Sequence, residues 1–237
     1  MARIDQTPFE LDILDLSHDG RGVARRDDGK AVFVAGALAG ERVRVKQVAR
    51  SRSFDEAVTL EVLQASPDRV QPRCAHYGVC GGCALQHLEE SKQILAKQRV
   101  LLENFERIGH VSPGAVLPPL TGGAWHYRRK GRFSVRRVEK KDRTLVGFRE
   151  RDPRFVADLH ECHTVVPQVG ALIPTLSALV DGLDARRDIP QVEFIVGDPQ
   201  PEFDGVALVF RHLQPLGEGD LAALRAFAER ERVAVYL

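Results

Sequence analysis

Long apolar runs are missing from the 237-residue sequence: none reaches 18 residues, so no membrane-spanning helix is expected. The start of the chain, Met1 to Glu10, carries charges and no apolar core, which excludes a secretory signal. No internal repeat or low-complexity tract is visible, which removes repeat architectures from consideration. A glycine-rich strand-to-helix turn for a dinucleotide or methyl donor is also missing. Gly36-x3-Gly40 and Gly217-x-Gly219 lack that setting. Cysteine is scarce, with four residues. The expected location is the cytoplasm, where thiols stay reduced, so the four read as ligands rather than disulfides.

Net charge is also nearly absent, at +1, which taken alone gives no sign of a polyanionic partner. Its distribution reverses that reading. Residues 121–154 hold 12 Lys/Arg against 4 Asp/Glu, and residues 155–237 hold 6 against 13. A local anion-binding face on a neutral protein is expected.

What is present divides the chain in two. Residues 8–63 read as four or five short strands, broken at Gly20-Arg21-Gly22 and at Asp27-Asp28-Gly29-Lys30. That suits a small OB-like β-barrel over about residues 1–68, with Pro67 and Pro72 marking the boundary. A mixed α/β segment, 69–237, makes the fold class α+β. It opens with a cysteine-rich loop and a helix from about Leu88 to Ile108, where Ile94, Leu95, Leu101, Leu102, Phe105 and Ile108 fall at helical spacing. Strands are expected at Arg132–Val135, Leu145–Phe148, Phe155–Ala157, Gln191–Val196 and Val206–Phe210. A helix over Val165–Leu183 is expected to break at Pro174, and Asp220 to N-cap a last helix. The sequence stops on an apolar strand, Val233 to Leu237, and is expected to be truncated there.

Cys74, Cys80 and Cys83 form C-x5-C-x2-C, and Cys162 stands 79 positions later. Three thiols on one tight loop plus one distant thiol suit an iron–sulfur cluster. Gly81 and Gly82 would let the backbone close around it and aim amides at sulfur. A four-cysteine zinc site is the rival, although Cys162 lacks the second C-x2-C knuckle of a zinc ribbon. Unrelated core cysteines are the third reading. His76, His87, His160 and His163 read as ordinary surface or hydrogen-bonded histidines.

Two basic segments suit RNA. Trp125 to Val138 holds Arg128, Arg129, Lys130, Arg132, Arg136 and Arg137 with no acid, and Tyr127 is among its interleaved aromatics. Arg42, Arg44 and Lys46 share one strand face with Val43 and Val45 inward, and Arg50 and Arg52 follow. Phe33 and Phe54 are candidates for stacking on bases, with core packing favoured for Phe33.

These residues resemble a known family. Cys74-x5-Cys80-Gly81-Gly82-Cys83 with Ala84-Leu85-Gln86-His87 and Lys97-Gln98 resembles the RNA uracil-5 methyltransferases. Tyr127-Arg128-Arg129-Lys130, Phe133-Ser134-Val135, Gly147-Phe148 and Glu161-Cys162 extend the likeness, and Gly20-Arg21-Gly22-Val23-Ala24 resembles a TRAM domain. The combination looks most like the bacterial enzymes acting on 23S ribosomal RNA. The resemblance implies a 4Fe–4S cluster on Cys74, Cys80, Cys83 and Cys162, an RNA loop held by the chain, and a monomer. It also implies a Rossmann-like domain, absent here, that binds S-adenosylmethionine in the full enzyme. In the family a cysteine thiolate adds to C6 of uracil. All four cysteines here are claimed by the cluster, so no catalytic residue is assigned and no methyl transfer by this chain alone is expected. The alternative is a stand-alone RNA-binding iron–sulfur protein or a four-cysteine zinc protein. A radical methylthiotransferase fits less well, since it usually carries C-x3-C-x2-C and a C-terminal TRAM domain.

Overall fold

The computed structural model describes residues 5–199, 201 and 204–237, so Met1 to Ile4 of the charged start lie outside the described residues. The chain forms two compact units, Met1–Arg73 with Cys83–Leu120 and Cys74–Gly82 with Thr121–Leu237. Among the described residues no helix is long and apolar enough to cross a membrane.

The first unit contains β1 (Phe9–Asp12), β2 (Asp15–Leu16), β3 (Gly22–Arg25), β4 (Ala31–Ala35), β5 (Arg42–Arg50) and β6 (Phe54–Gln64). They form one sheet in the order β1-β5-β6-β4-β3-β2, antiparallel except for β4 with β6. The two edge strands are separated in sequence only by Ile13 and Leu14. The Ile13 amide donates to the Glu41 carbonyl and the Leu14 amide to the Val23 carbonyl, each at 2.8 Å. One bent segment thus joins both ends of the sheet. Period-two alternation explains the interior: Val32, Val34, Val43 and Val45 are fully buried beside Leu11, Ile13, Ala24 and Ala57. Gly22 permits this closeness, since a Cβ there would lie 2.8 Å from Ile13 Cγ2.

The chain leaves this sheet through a buried ion pair. Glu41 accepts from Arg69 Nε at 2.5 Å and Nη2 at 2.8 Å, and from the amides of Leu38 at 2.8 Å and Ser66 at 3.2 Å. Helix α1 (Glu90–Arg107) follows, with the Glu89 carboxylate accepting from the Lys92 amide at its start. Its apolar residues fall at helical spacing, yet none is buried, and Ile108 just past its end is 75% exposed.

The second unit contains β7 (Lys130–Val138), β8 (Arg143–Gly147), α2 (Pro167–Gly182), β9 (Gln191–Val196), β10 (Val206–Arg211), α3 (Glu218–Glu231) and β11 (Ala234–Tyr236). Its sheet runs β11-β10-β9-β7-β8, with only β10 and β11 parallel. Phe133, Val192, Phe194, Leu208 and Phe210 point to one face and pack with Ile173, Leu176 and Val180 of α2 and Leu224 and Phe227 of α3. Gly131 is fixed by this packing, because a Cβ would lie 2.6 Å from the Phe194 ring.

Three expectations change here. Helix α2 runs through Pro174 instead of breaking. The lost hydrogen bond is outweighed by burial of Leu172, Ile173, Leu176 and Val180 around it. Asp220 is not the N-cap of α3: Gly217 holds that position, and the buried Asp220 carboxylate accepts from the amides of Asp184 (2.8 Å) and Ala185 (3.1 Å) after α2. Phe155–Ala157 forms no strand, only a bridge of Val156 to Arg149 beside a bond from the Ala157 amide to the Phe148 carbonyl.

Candidate cysteine site and basic strands

The loop Cys74–Gly82 folds as tight turns. The Tyr77 amide donates to the Cys74 carbonyl at 3.0 Å and the Cys80 amide to the His76 carbonyl at 2.9 Å. Gly78 sits at φ +94, a conformation that disfavours any side chain. Two backbone bonds seat the loop on the turn after β8: Gly81 amide to Arg149 carbonyl, and Arg151 amide to Val79 carbonyl, both 2.9 Å. A Cβ on Gly81 would stand 3.0 Å from the Glu150 carbonyl oxygen. A side chain here would press on that backbone. Gly82 stands by the sulfur: its amide donates to Cys80 Sγ at 3.4 Å, and an added Cβ would meet that sulfur and the Phe148 ring.

A third contact comes from farther along the chain. The His160 amide donates to His76 Nε2 at 3.2 Å. His76 is two residues after Cys74, and His160 is two residues before Cys162. Cys80 and Cys162 both pack against the hydrophobic core of this unit, and Cys162 Sγ lies 3.3 Å from Thr164 Oγ1. None of the four cysteines is in a disulfide, and all are partly exposed. Cys83, the residue after Gly82, belongs to the first unit. Among the described residues no group of three or more His, Cys, Asp or Glu side chains is close enough to hold a metal ion. The donor type fits an iron–sulfur cluster or zinc. Of the histidines, His163 pairs with Glu161 at 3.2 Å, and His87 is buried.

The basic strand separates into distinct roles. Lys130, Arg132 and Arg136 alternate on the exposed side of β7. Arg136 donates to the Arg154 carbonyl at 2.9 Å. Arg129 donates to the carbonyls of Val196 (3.1 Å) and Gly197 (2.8 Å), and Arg128 lies over the Phe148 ring at 5.5 Å. Tyr127 is exposed. Arg137 is the exception. Its side chain is 13% exposed and pairs with Asp181 at 2.6 Å and with Asp142, which occupies it structurally.

In the first unit Arg42, Arg44 and Lys46 share the outward side of β5 with Val43 and Val45 inward, whereas Arg50, past a bulge between Gln47 and Ala49, is exposed opposite Asp55. Cross-strand acids meet the first two: Arg42 with Glu10 at 3.1 Å, Arg44 with Glu61 at 2.5 Å. Arg52 is exposed in the turn that follows. Phe33, expected in the core, lies outward, because Val32 and Val34 take the inward positions of β4. It meets Phe54 edge-on at 5.4 Å, and the Arg21 guanidinium lies 4.7 Å from its ring centre. This aromatic–arginine cluster was missed, although the alternation of Ala31–Ala35 contained the signal.

The TRAM domain family matches residues 7–52, which span β1 to β5. The chain is 65% identical to the 23S rRNA (uracil(1939)-C(5))-methyltransferase RlmD of Xanthomonas euvesicatoria, over 99% of its own length and 52% of that protein. It is 63% identical to the RlmD protein of Stenotrophomonas maltophilia, over 100% of its length and 52% of the relative. Among solved structures, the Pyrococcus abyssi tRNA (uracil-54, C5)-methyltransferase in complex with S-adenosyl-L-homocysteine shares the fold. Its TM-score is 0.62 at 20% identity, covering 90% of this chain and 48% of that one. The chain spans about half the length of the curated relatives it matches, is similar to them along that half, and carries the TRAM domain match at residues 7–52.

Proposed function

We propose that this chain is the RNA-recognition and iron–sulfur portion of an S-adenosylmethionine-dependent 23S rRNA uracil-5 methyltransferase. Identity of 65% along 99% of the chain to a protein of that name carries the reading. In it, residues 1–68 act as an OB-like TRAM barrel, consistent with a sheet whose two ends meet at Ile13-Leu14. Residues 69–237 carry the 4Fe–4S cluster on Cys74, Cys80, Cys83 and Cys162. The Gly82 amide directed at Cys80 Sγ and the His76–His160 bond that draws the loop toward residue 162 support that ligand set. RNA contacts are assigned to Arg42, Arg44, Lys46, Arg50, Arg52, Tyr127, Arg128, Arg129, Lys130, Arg132 and Arg136. Arg137 keeps its structural role. The protein acts as a cytoplasmic monomer.

The methyl donor supplies the methyl group in such enzymes, and this chain's own residues position RNA. With all four cysteines assigned to the cluster, none serves as a nucleophile, and the chain alone transfers no methyl groups. Iron, acid-labile sulfide and zinc per chain, on protein purified without oxygen, test the reading. Iron and sulfide at about four each support the 4Fe–4S assignment. Zinc at about one with no sulfide would replace it with a four-cysteine zinc site.

A further inference from the structure

The sheet of the second unit has one face buried by α2 and α3 and a second face whose composition is unusual. Directly paired residues share a face, so the register defines rungs across it. One rung runs Lys130, Ile195, Ala207, Ala234; the next runs Arg132, Glu193, Val209, Tyr236. Arg211 ends a third, opposite Gln191. Ile195 is 41% and Tyr236 57% exposed, although their strand neighbours Phe194 and Val235 pack with the core. An apolar bed with an exposed aromatic is therefore bordered by Lys130, Arg132 and Arg211. Among the described residues of these rungs the acid is Glu193, which pairs with Arg211 at 2.8 Å and lies opposite Arg132, so the rungs remain cationic.

We infer that this face of β7, β9, β10 and β11 is a platform for unpaired RNA, with Tyr236 stacking on a base over Val209 and Ile195 and with Lys130, Arg132 and Arg211 meeting phosphates. The inference rests on the RNA reading above and deepens it, because it names the surface and adds residues of β9 to β11. Charge complementarity selects a polyanion. An exposed ring beside an apolar bed selects a strand whose bases are free to stack, which a duplex does not offer. Glu193 adds an acceptor for an exocyclic amino group of a base.

Fluorescence anisotropy with an unstructured RNA of about ten nucleotides, within the span one such platform covers, tests this. The same sequence as a duplex is the comparison. The single strand is expected to bind more tightly. Tyr236→Ala weakens it at least about five-fold with an unchanged salt slope, and Tyr236→Phe restores it. Arg132→Gln lowers the slope of log affinity against log salt by about 0.7, one phosphate contact. If Tyr236→Ala and Arg132→Gln bind with the affinity and slope of the parent chain, the platform is refuted while the RNA reading stands. If the parent chain binds neither RNA, both fall. If Tyr236→Ala dissociates a dimer without altering RNA affinity, the face belongs to a second copy and the inference is overturned.

Discussion

Arg69→Ala isolates the buried ion pair that anchors the chain as it leaves the first sheet. Arg69 donates two hydrogen bonds to Glu41, a residue 1% exposed, and one at 2.7 Å to the Gly36 carbonyl. Removing one partner of a buried pair costs about 3–5 kcal/mol, because an uncompensated charge remains. Glu41 retains the Leu38 and Ser66 amides, so the lower end, about 3 kcal/mol at neutral pH, is expected. The loss is pH-dependent. Burial raises the Glu41 pKa, but hydrogen bonds from Arg69, Leu38 and Ser66 more than offset it, leaving the carboxyl below its ordinary 4.5. A depressed folded pKa contributes stability that is complete above the unfolded value and lost as pH falls through the folded one. The parent protein should therefore lose this contribution below about pH 4.5, and Arg69→Ala should differ from it least there. Urea denaturation at neutral and acid pH measures the difference, with hydrogen exchange at Leu38 and Ser66 as the local report. Adding Glu41→Gln to Arg69→Ala should recover part of the loss, since no charge is left to bury. A cost below about 1 kcal/mol at neutral pH, or the same cost in acid, would refute the reasoning.

Gly81→Ala, whose new Cβ meets the Glu150 carbonyl, should lower iron per chain more than Gly82→Ala, read by metal analysis. Cys80→Ser should lower solubility and RNA affinity together, whereas normal folding with only a lost redox signal would indicate electron transfer instead. Asp220→Ala should destabilise the protein by about 1–3 kcal/mol in thermal denaturation, because two amides lose a buried acceptor. Arg137→Gln should reduce stability yet leave the salt slope of RNA binding unchanged, in contrast to Arg132→Gln.

Legibility in the sequence followed the range of the forces involved. Period-two alternation is local, and it located the strands around Val32, Val34, Val43 and Val45. The same pattern placed Phe33 outward, but its hydrophobicity was given more weight than its register. Helix α1 was visible from spacing, while its exposure was not, because a period states which residues share a face and not what covers it. Pro174 and Asp220 misled for one reason: their roles depend on contacts with distant segments that no local rule contains. The basic segment read as one patch because charge is countable in sequence. Only the carboxylates of Asp181 and Asp142 show that Arg137 differs from Arg132. Gly81 was recognised as necessary, although for cluster approach and not for the Arg149–Glu150 backbone it touches.

The bond from the His160 amide to His76 spans 84 positions, and that separation has a consequence during synthesis. At about 5–20 residues per second, roughly 4–17 s pass between the emergence of the two partners. Through most of that interval the thiols of Cys74, Cys80 and Cys83 are outside the tunnel while the segment that seats their loop has not yet emerged. For the cluster proposed above, loading of the loop thus depends on the order in which the ribosome delivers its parts as well as on affinity.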